Sequence, residues 1–498
     1  MFERSSGILL HISSLGGNGG IGTFGREAYK FVDFLKKSGQ KLWQILPLGT
    51  TSYGDSPYQS FSAFAGNPYF IDLEELVERG GLDRQDVEGA DLGDDEGYID
   101  YKKLYMNKLK LLKRAYSKEG GIFLKEIEKF REKHFYWIDD YALFMAIKDK
   151  NNGTEWTKWE KEEKYAHINT LKKYRIELKS EIDYHIYLQY LFYTQWKRLK
   201  KYANDNEVKI VGDLPIFISS DSVEAWLKTE LFLFDEKKDL KGVAGCPPDA
   251  FSRSGQLWGN PLYNWKIMRR RGYSWWIERM RAAFELYDLV RIDHFRGFES
   301  YWKIPAKAPT ARSGRWMKGP GIEVFKAIKN ELGDLPIIAE DLGFLTKGVR
   351  KLLKDSGYPG MKILEFAFDS KGKSDYLPHK YPKNSVAYTG THDNETVAGW
   401  YENITKDHRK YVKKYLTWYL KLKKFRAEKI NEILIEAIWK SDSDLVAAQM
   451  QDFLGLDNRA RMNIPSTLGD NWKWRLREGE LTDELAKKIK EITIKYGR

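Results

Sequence analysis

The stretch LVRIDHFRGF, residues 289–298, begins as a short apolar run and then sets Arg291, Asp293 and His294 almost side by side. An apolar run of this length reads as a strand buried on both faces, the signature of a parallel sheet. Ionisable groups at its end fit a strand that opens onto a working rim. Similar runs recur: GILLH (7–11), KLWQILPL (41–48), VKIVGD (208–213), YDLVRID (287–293), LPIIAED (335–341), MKILEFAF (361–368), SVAYTGTHD (385–393) and LVAAQMQD (445–452). Helical periodicity fills most intervals, as in FGREAYKFVDFLKKSG (24–39) and EVFKAIKNELG (323–333). Eight such strands with helical crossovers predict a (β/α)8 TIM barrel. A doubly wound open sheet is the alternative, but no glycine-rich dinucleotide turn follows an early strand.

The spacing is uneven. Residues 49–207 are too many for one loop, and 102–150 and 177–203 read as helical, which predicts a mainly helical insertion over 83–205 between the second and third strands. Residues 214–286 form a second insertion. Its segment GCPPDAFSRSGQLWGNPLY (245–263) is rich in Gly, Pro and polar residues and reads as a long loop over the C-terminal face of the barrel. The chain, 1–498, reads as a single catalytic domain with these two excursions.

The composition, 42% hydrophobic and 31% charged, is that of a globular protein, and no apolar run is long enough to span a membrane. MFERSSGILLHISS carries charges where a signal peptide needs an apolar core. The single cysteine, Cys246, excludes an internal disulfide and a cysteine-built metal site, so the expected compartment is the cytoplasm. The net charge of +12 raises nucleic-acid binding as a reading. However, lysines alternate with glutamates along KEGGIFLKEIEKFREKH (118–134) and ELAKKIKEITIKYGR (484–498), the pattern of solvated helix faces rather than a basic stripe. Seventeen tryptophans and thirty tyrosines suit sugar stacking and core packing equally.

Four strand ends deliver acids to one rim: Asp213; Asp293 with Arg291 and His294; Glu340 with Asp341; and Asp393 with His392. Each acid alone would read as a structural salt bridge, but four together suit a reaction whose transition state is positive, such as a glycosyl oxocarbenium ion. Retaining glycosyl chemistry needs an ionised nucleophile and a protonated acid with carboxyls ~5 Å apart. Arg291 precedes Asp293 by two residues on the same strand face, which favours an ionised Asp293 as nucleophile. Glu340 follows an apolar run and precedes another acid, so its pKa should rise, as an acid/base requires. Asp393 would bind sugar hydroxyls and help hold the distorted ring. His294 and His392 suit hydroxyl binding or a structural role. No P-loop lysine, HExxH pair or G-x-S-x-G elbow is present.

These motifs resemble the 4-α-glucanotransferases, also called amylomaltases or disproportionating enzymes, relatives of the α-amylases. GDLPIF (212–217), RIDHFRGF (291–298), IIAEDLG (337–343) and GTHDN (390–394) are similar to that superfamily's four active-site strands, in order. GILLHISSLGG (7–17), WQILPLG (43–49), YGDSPYQSFSAFAGNP (53–68), PPDAFSRSGQLWGNP (247–261) and RMNIPST (461–467) resemble marks specific to the glucanotransferases. The resemblance implies a barrel without the amylases' C-terminal β-domain, with Asp293 as nucleophile, Glu340 as acid/base and Asp393 as transition-state stabiliser. It implies donor-site contacts from Arg291, His392 and Asp213, and glucan contacts from Tyr53, Asp55, Ser56 and Tyr58. Asp249, Phe251, Trp258 and Asn463 would belong to covering loops, with Trp258 near the acceptor; Asp369 would also reach substrate. The implied partners are α-1,4-glucans and maltodextrins, with glucose as an acceptor, for a monomer or homodimer that uses no cofactor and no metal. No oxygen-ligand loop for calcium is legible.

Two positions depart from the family pattern: Glu365 stands where a glutamine is expected, adding a negative charge near the rim, and Ser466 replaces a usual glycine. The expected activity is a retaining transfer of α-1,4-glucan segments to a 4-hydroxyl. An α-amylase-type hydrolase would use the same acids, and a non-catalytic glucan-binding protein would keep the same groove.

Overall fold

The computed structural model describes residues 2–52, 54–248, 252–343, 345–368 and 374–498. Tyr53, Asp249, Phe251 and Asp369, all expected to touch substrate, lie outside the described residues. In chain order the described strands are β1 (Ser5–Leu9), β2 (Leu42–Gln44), β3 (Lys209–Leu214), β4 (Val243–Cys246), β5 (Gln256–Pro261), β6 (Leu289–Ile292), β7 (Ser300–Ile304), β8 (Arg315–Lys318), β9 (Ile337–Ala339), β10 (Gly360–Ile363), β11 (Ser385–Tyr388) and β12 (Leu445–Gln449).

Eight of them close a barrel in the order β1-β12-β11-β10-β9-β6-β3-β2. The pairs are parallel throughout. Side chains alternate as strand geometry demands. Leu42, Val211, Leu289, Met361, Val386 and Leu445 belong to an interior cluster of their own. Their neighbours Trp43, Ile210, Val290, Ala387 and Val446 face outward into the large core shared with the helices. Because Leu289 points inward, so do Arg291 and Asp293, two and four residues on. Close approach of the shell requires Gly212, since a Cβ there would lie within 2.3 Å of the Tyr287 ring.

Between β2 and β3 the chain is helical, ending in the 27-residue helix Lys179–Asp205. That helix buries Tyr187, Phe192 and Trp196 against helices Arg26–Lys37 and Ile138–Lys150. Six of the tryptophans, Trp43, Trp156, Trp196, Trp226, Trp276 and Trp439, are among the largest fully buried side chains. Much of the aromatic richness is therefore packing. No described helix is long and apolar enough to cross a membrane.

Two expectations need correction. The stretch 245–263, read as a loop, contains strands: β4 and β5 pair antiparallel, and with β7 and β8 they form a second sheet ordered β5-β4-β7-β8. Its Gly and Pro residues punctuate a hairpin whose partner, β7, comes from beyond the next barrel strand, so local sequence concealed the pairing. The run MKILEFAF is strand only to Ile363; Leu364–Ala367 winds into a 3-10 turn. There the Glu365 amide donates to the Thr389 carbonyl at 3.3 Å, and the chain leaves the barrel wall.

Lys108 is wholly buried, and its Nζ has no hydrogen-bond partner among the described residues. Burial is the main influence and lowers its pKa to about 7, with Asp72 opposing and Arg475 adding to the fall. A base whose folded pKa is lowered costs stability most at low pH. That cost is full below about 7 and fades as pH rises toward the unfolded value of 10.5. Lys108→Met should therefore stabilise the protein at pH 7 by on the order of a few kcal/mol, read as a higher Tm, and the gain should shrink toward pH 10. Thermal melts of the two proteins across that range would show it; a gain independent of pH would refute the assignment.

Candidate active site

At the C-terminal mouth of the barrel, Arg291 on β6 sits in register with Asp213 on β3. Its Nε donates to Asp213 Oδ1 at 2.9 Å and its Nη2 to Asp213 Oδ2 at 2.8 Å. The same Nη2 reaches Asp293 Oδ1 at 2.9 Å. Burial alone would favour loss of the Arg291 proton, but the two aspartates outweigh it and hold the guanidinium firmly charged. The expected Arg291–Asp293 pair is present, but Arg291 is shared and gives Asp213 the larger part. Burial is accordingly the strongest influence on Asp293 and raises its pKa, Arg291 pulls it down, and Asp213, Glu340 and Asp393 push it up. The Asp293 side chain remains 30% exposed, whereas that of Asp213 is fully covered.

Glu340 follows β9 and continues the barrel ladder: its amide donates to the Ile292 carbonyl at 3.0 Å. Its carboxylate accepts the His294 amide at Oε2 and the Leu342 amide at Oε1, each at 2.7 Å. The peptide that holds Glu340 is thus the one immediately after Asp293. Burial pushes Glu340 up to about 7, against Arg291 and the two amides, with Asp341 adding to the rise. Asp341 itself is turned elsewhere and accepts the Met361 amide at 2.7 Å.

Tyr58 closes the far side. Its hydroxyl donates to Asp213 Oδ2 at 2.6 Å and lies 2.9 Å from His392 Nε2. A phenol has one hydrogen, and here Asp213 takes it, which assigns the His392 proton to Nε2. Burial keeps this imidazole neutral by lowering its pKa. The Tyr58 and His392 rings stack at 5.3 Å, and Trp472 flanks both. Asp393 accepts from Asn463 Nδ2 at 2.6 Å, and its backbone carbonyl accepts from Arg461 at 2.6 Å.

These groups line a groove of about 1170 Å³. Asp293, Glu340 and Asp393 all open onto it, with Arg291, His294 and His392 between them. Ser56, Tyr58, Trp258 and Asn463 lie along its walls. Asp213 stands behind the lining, and Asp55 sits beside the groove rather than in its wall; burial raises the Asp55 pKa to about 6. His294 adopts a left-handed conformation, φ 50°, and its ring meets Trp258 edge-on at 4.8 Å. Its Nε2 is buried with no partner among the described residues. Strained backbone of this kind concentrates at working sites.

Two features escaped the sequence reading, and a third, Ser466, gains its physical reason. Arg461 clasps the Asp393 loop, although it begins the quoted RMNIPST motif. The Arg296 guanidinium lies 3.9 Å over the Trp316 ring, and both line the groove. Trp316 is on β8, in a segment that carried no signal of its own; Arg296 was within the opening stretch, but its stacking partner is twenty residues away. Ser466 has φ 66°, the left-handed region that glycine occupies freely.

A closed parallel barrel with acids at its C-terminal mouth and an aromatic-walled groove beside them defines the class: a (β/α)8 barrel whose strand ends form the candidate active site. Residues 10–482 match the 4-alpha-glucanotransferase family, and the chain belongs to it. It is 50% identical to the 4-alpha-glucanotransferase of Clostridium butyricum, over 98% of this chain and all of that one. It is 44% identical to that of Thermus thermophilus over 98% of both chains. Amylomaltase from Streptococcus agalactiae, solved in complex with acarbose, superposes with a TM-score of 0.95 at 44% identity, over 99% of each chain.

Two outcomes follow from the geometry. Tyr58→Phe leaves the Arg291–Asp213 pair but strips the link to His392, so kcat should fall ~10- to 100-fold with Tm changed little; unchanged kcat would show the link to be idle. Ser466→Gly should relieve the left-handed strain and stabilise the protein by roughly 0.5–1 kcal/mol, read as a rise in Tm.

Proposed function

We propose that the chain is a retaining 4-α-glucanotransferase that moves α-1,4-glucan segments through a covalent glycosyl-enzyme. Asp293 attacks the anomeric carbon, the glycosidic C–O bond breaks, and the departing oxygen takes the proton of Glu340. In the second half-reaction Glu340 accepts the proton of an acceptor 4-hydroxyl. That oxygen attacks the same carbon and releases the Asp293 carboxylate. Each displacement inverts the centre, so the α configuration is retained. The observation that carries this reading is the shared scaffold of the two acids: the peptide following Asp293 binds Glu340, and Arg291 bonds Asp293.

The division of labour follows from environment. Glu340, raised to about 7, is protonated and ready to act as acid at and below neutrality. Once the leaving sugar has gone, the same pKa suits it as base. Asp293 is open to the groove and bonded to the Arg291 guanidinium, the one influence that favours its ionised form against burial and the neighbouring acids that raise its pKa. Asp393, clasped by Asn463 and Arg461, would face the hydroxyls of the distorted ring. The carboxyl groups of Asp293 and Asp393 face the groove while Arg291 is matched by Asp213, an arrangement that favours a positive sugar in the transition state. The unpartnered His294 Nε2 would take a sugar hydroxyl, and Trp258 and Trp316 would offer rings to the glucan on the wall formed by the second sheet. Such a wall favours an acceptor sugar over water.

Incubation with maltotriose tests the function: transfer gives glucose and longer oligomers, hydrolysis only shorter products. Asp293→Asn should lower kcat by ~1000-fold or more with the fold intact; near-normal turnover would remove it as nucleophile. For kcat/KM with maltotriose, activity should be lost as pH rises through about 7, where Glu340 gives up its proton. Glu340→Gln should lose that limb and, with a glycosyl fluoride whose leaving group needs no proton, recover the first half-reaction, read as fluoride release and accumulation of the glycosyl-enzyme. Failure of the fluoride to restore that first step would count against Glu340 as the acid.

A further inference from the structure

Beneath the turn that carries His392 and Asp393 lies a carboxyl the mechanism does not use. Glu365 is 6% exposed and sits just after β10, at the start of the 3-10 turn. Its Oε2 accepts from Asn394 Nδ2 at 3.1 Å. Asn394 in turn brackets the turn: its Oδ1 accepts the Thr391 amide at 2.9 Å and the Thr391 hydroxyl at 3.0 Å. Those two donors fix which way the Asn394 amide points, so Nδ2 must face Glu365 and needs an acceptor there. The other carboxyl oxygen, Oε1, lies against Gly390, where an added Cβ would come within 2.8 Å of it. Oε1 has no partner among the described residues. The turn from Gly390 to Asn394 therefore rests on this one side chain from below.

We propose that Glu365 is a positioning residue, a neutral carboxylic acid whose carbonyl oxygen anchors Asn394 and thereby sets Asp393 and His392 over the groove. The inference rests on the role given above to Asp393. Asp452, from helix Met450–Leu454, and Glu395, from the end of the turn, act on it as like charges, while the Asn394 hydrogen bond and then Arg461 oppose them. Asp452 is itself wholly buried, accepting the Thr389 hydroxyl at 2.6 Å and the Val397 amide at 2.9 Å. Burial pushes Glu365 well above the usual carboxylate range. Two adjacent buried carboxyls without a dedicated cation cannot both carry charge cheaply. On this proposal the negative charge expected at this position is absent, because the acid is held in its uncharged form.

A neutral acid and an amide offer Asn394 the same carbonyl acceptor, and this makes the inference testable. Glu365→Gln keeps the acceptor; Glu365→Met keeps much of the volume and removes it. In maltotriose disproportionation, Glu365→Gln should retain wild-type kcat and KM. Glu365→Met should lose ~10- to 100-fold in kcat with a much smaller change in KM, because the misplaced groups act in the transition state. Infrared difference spectra at neutral pH, wild type minus Glu365→Gln, should show a protonated-carboxyl C=O band. Wild-type turnover in Glu365→Met, equal damage in both variants, or a carboxylate signature in place of that band would each overturn the proposal. If Glu365→Met does not fold, the spectra and the Gln variant decide alone. A wild type unable to disproportionate maltotriose would instead defeat the proposed function, a separate outcome.

Discussion

A guanidinium buried at the end of a strand is costly unless its charge is matched. Arg291 meets that demand by holding Asp213 with two hydrogen bonds and Asp293 with one. Much of the site hangs from this contact. Asp213 takes the hydrogen of Tyr58, Tyr58 turns its oxygen to His392, and His392 precedes Asp393. On the other side Asp293 leads into the peptide that grips Glu340. Four barrel strands, β3, β6, β9 and β11, and the loop that carries Tyr58 are thus joined through a single cation, and the acids they carry are placed relative to one another rather than independently.

The same network explains how similar groups come to differ. Burial pushes Glu340 up to about 7, although two backbone amides and Arg291 pull the other way. Asp293 touches the cation and keeps an open face. Glu365 is buried beside like charges, with only the more distant influence of Arg461 and one amide hydrogen bond against them among the described residues, and is proposed to rest as a neutral acid under the turn. The same carboxyl group thus stands in three different environments, the basis of the roles proposed for it as acid/base, nucleophile and structural acceptor.

Part of this was legible in the residues. Arg291 and Asp293 share a strand face because side chains alternate along any strand, a local rule that needs no fold. The apolar run before Glu340, with Asp341 after it, signalled burial and a raised pKa. Other parts were hidden because their meaning depends on distant partners. The stretch 245–263 looked like a loop because β4 finds β7 only after another barrel strand intervenes. Glu365 looked like an added rim charge because nothing nearby in sequence reveals Asp452, 87 residues on, or Asn394, 29 residues on. Ser466 was recognisable as standing in for glycine, but only the backbone showed that its φ is one glycine favours.

The sequence by itself determined eight buried strands, the acids at their ends, the face each acid takes and the family to which the chain belongs. These follow from hydrophobic runs, alternation and motif order, all written within a few residues. Tertiary structure alone decided which acids share Arg291, which nitrogen of His392 holds the proton, how the second sheet walls the groove and why Glu365 is uncharged. Each of those depends on barrel closure, which brings residues tens to hundreds of positions apart within hydrogen-bond reach and removes the water that would otherwise make them equivalent.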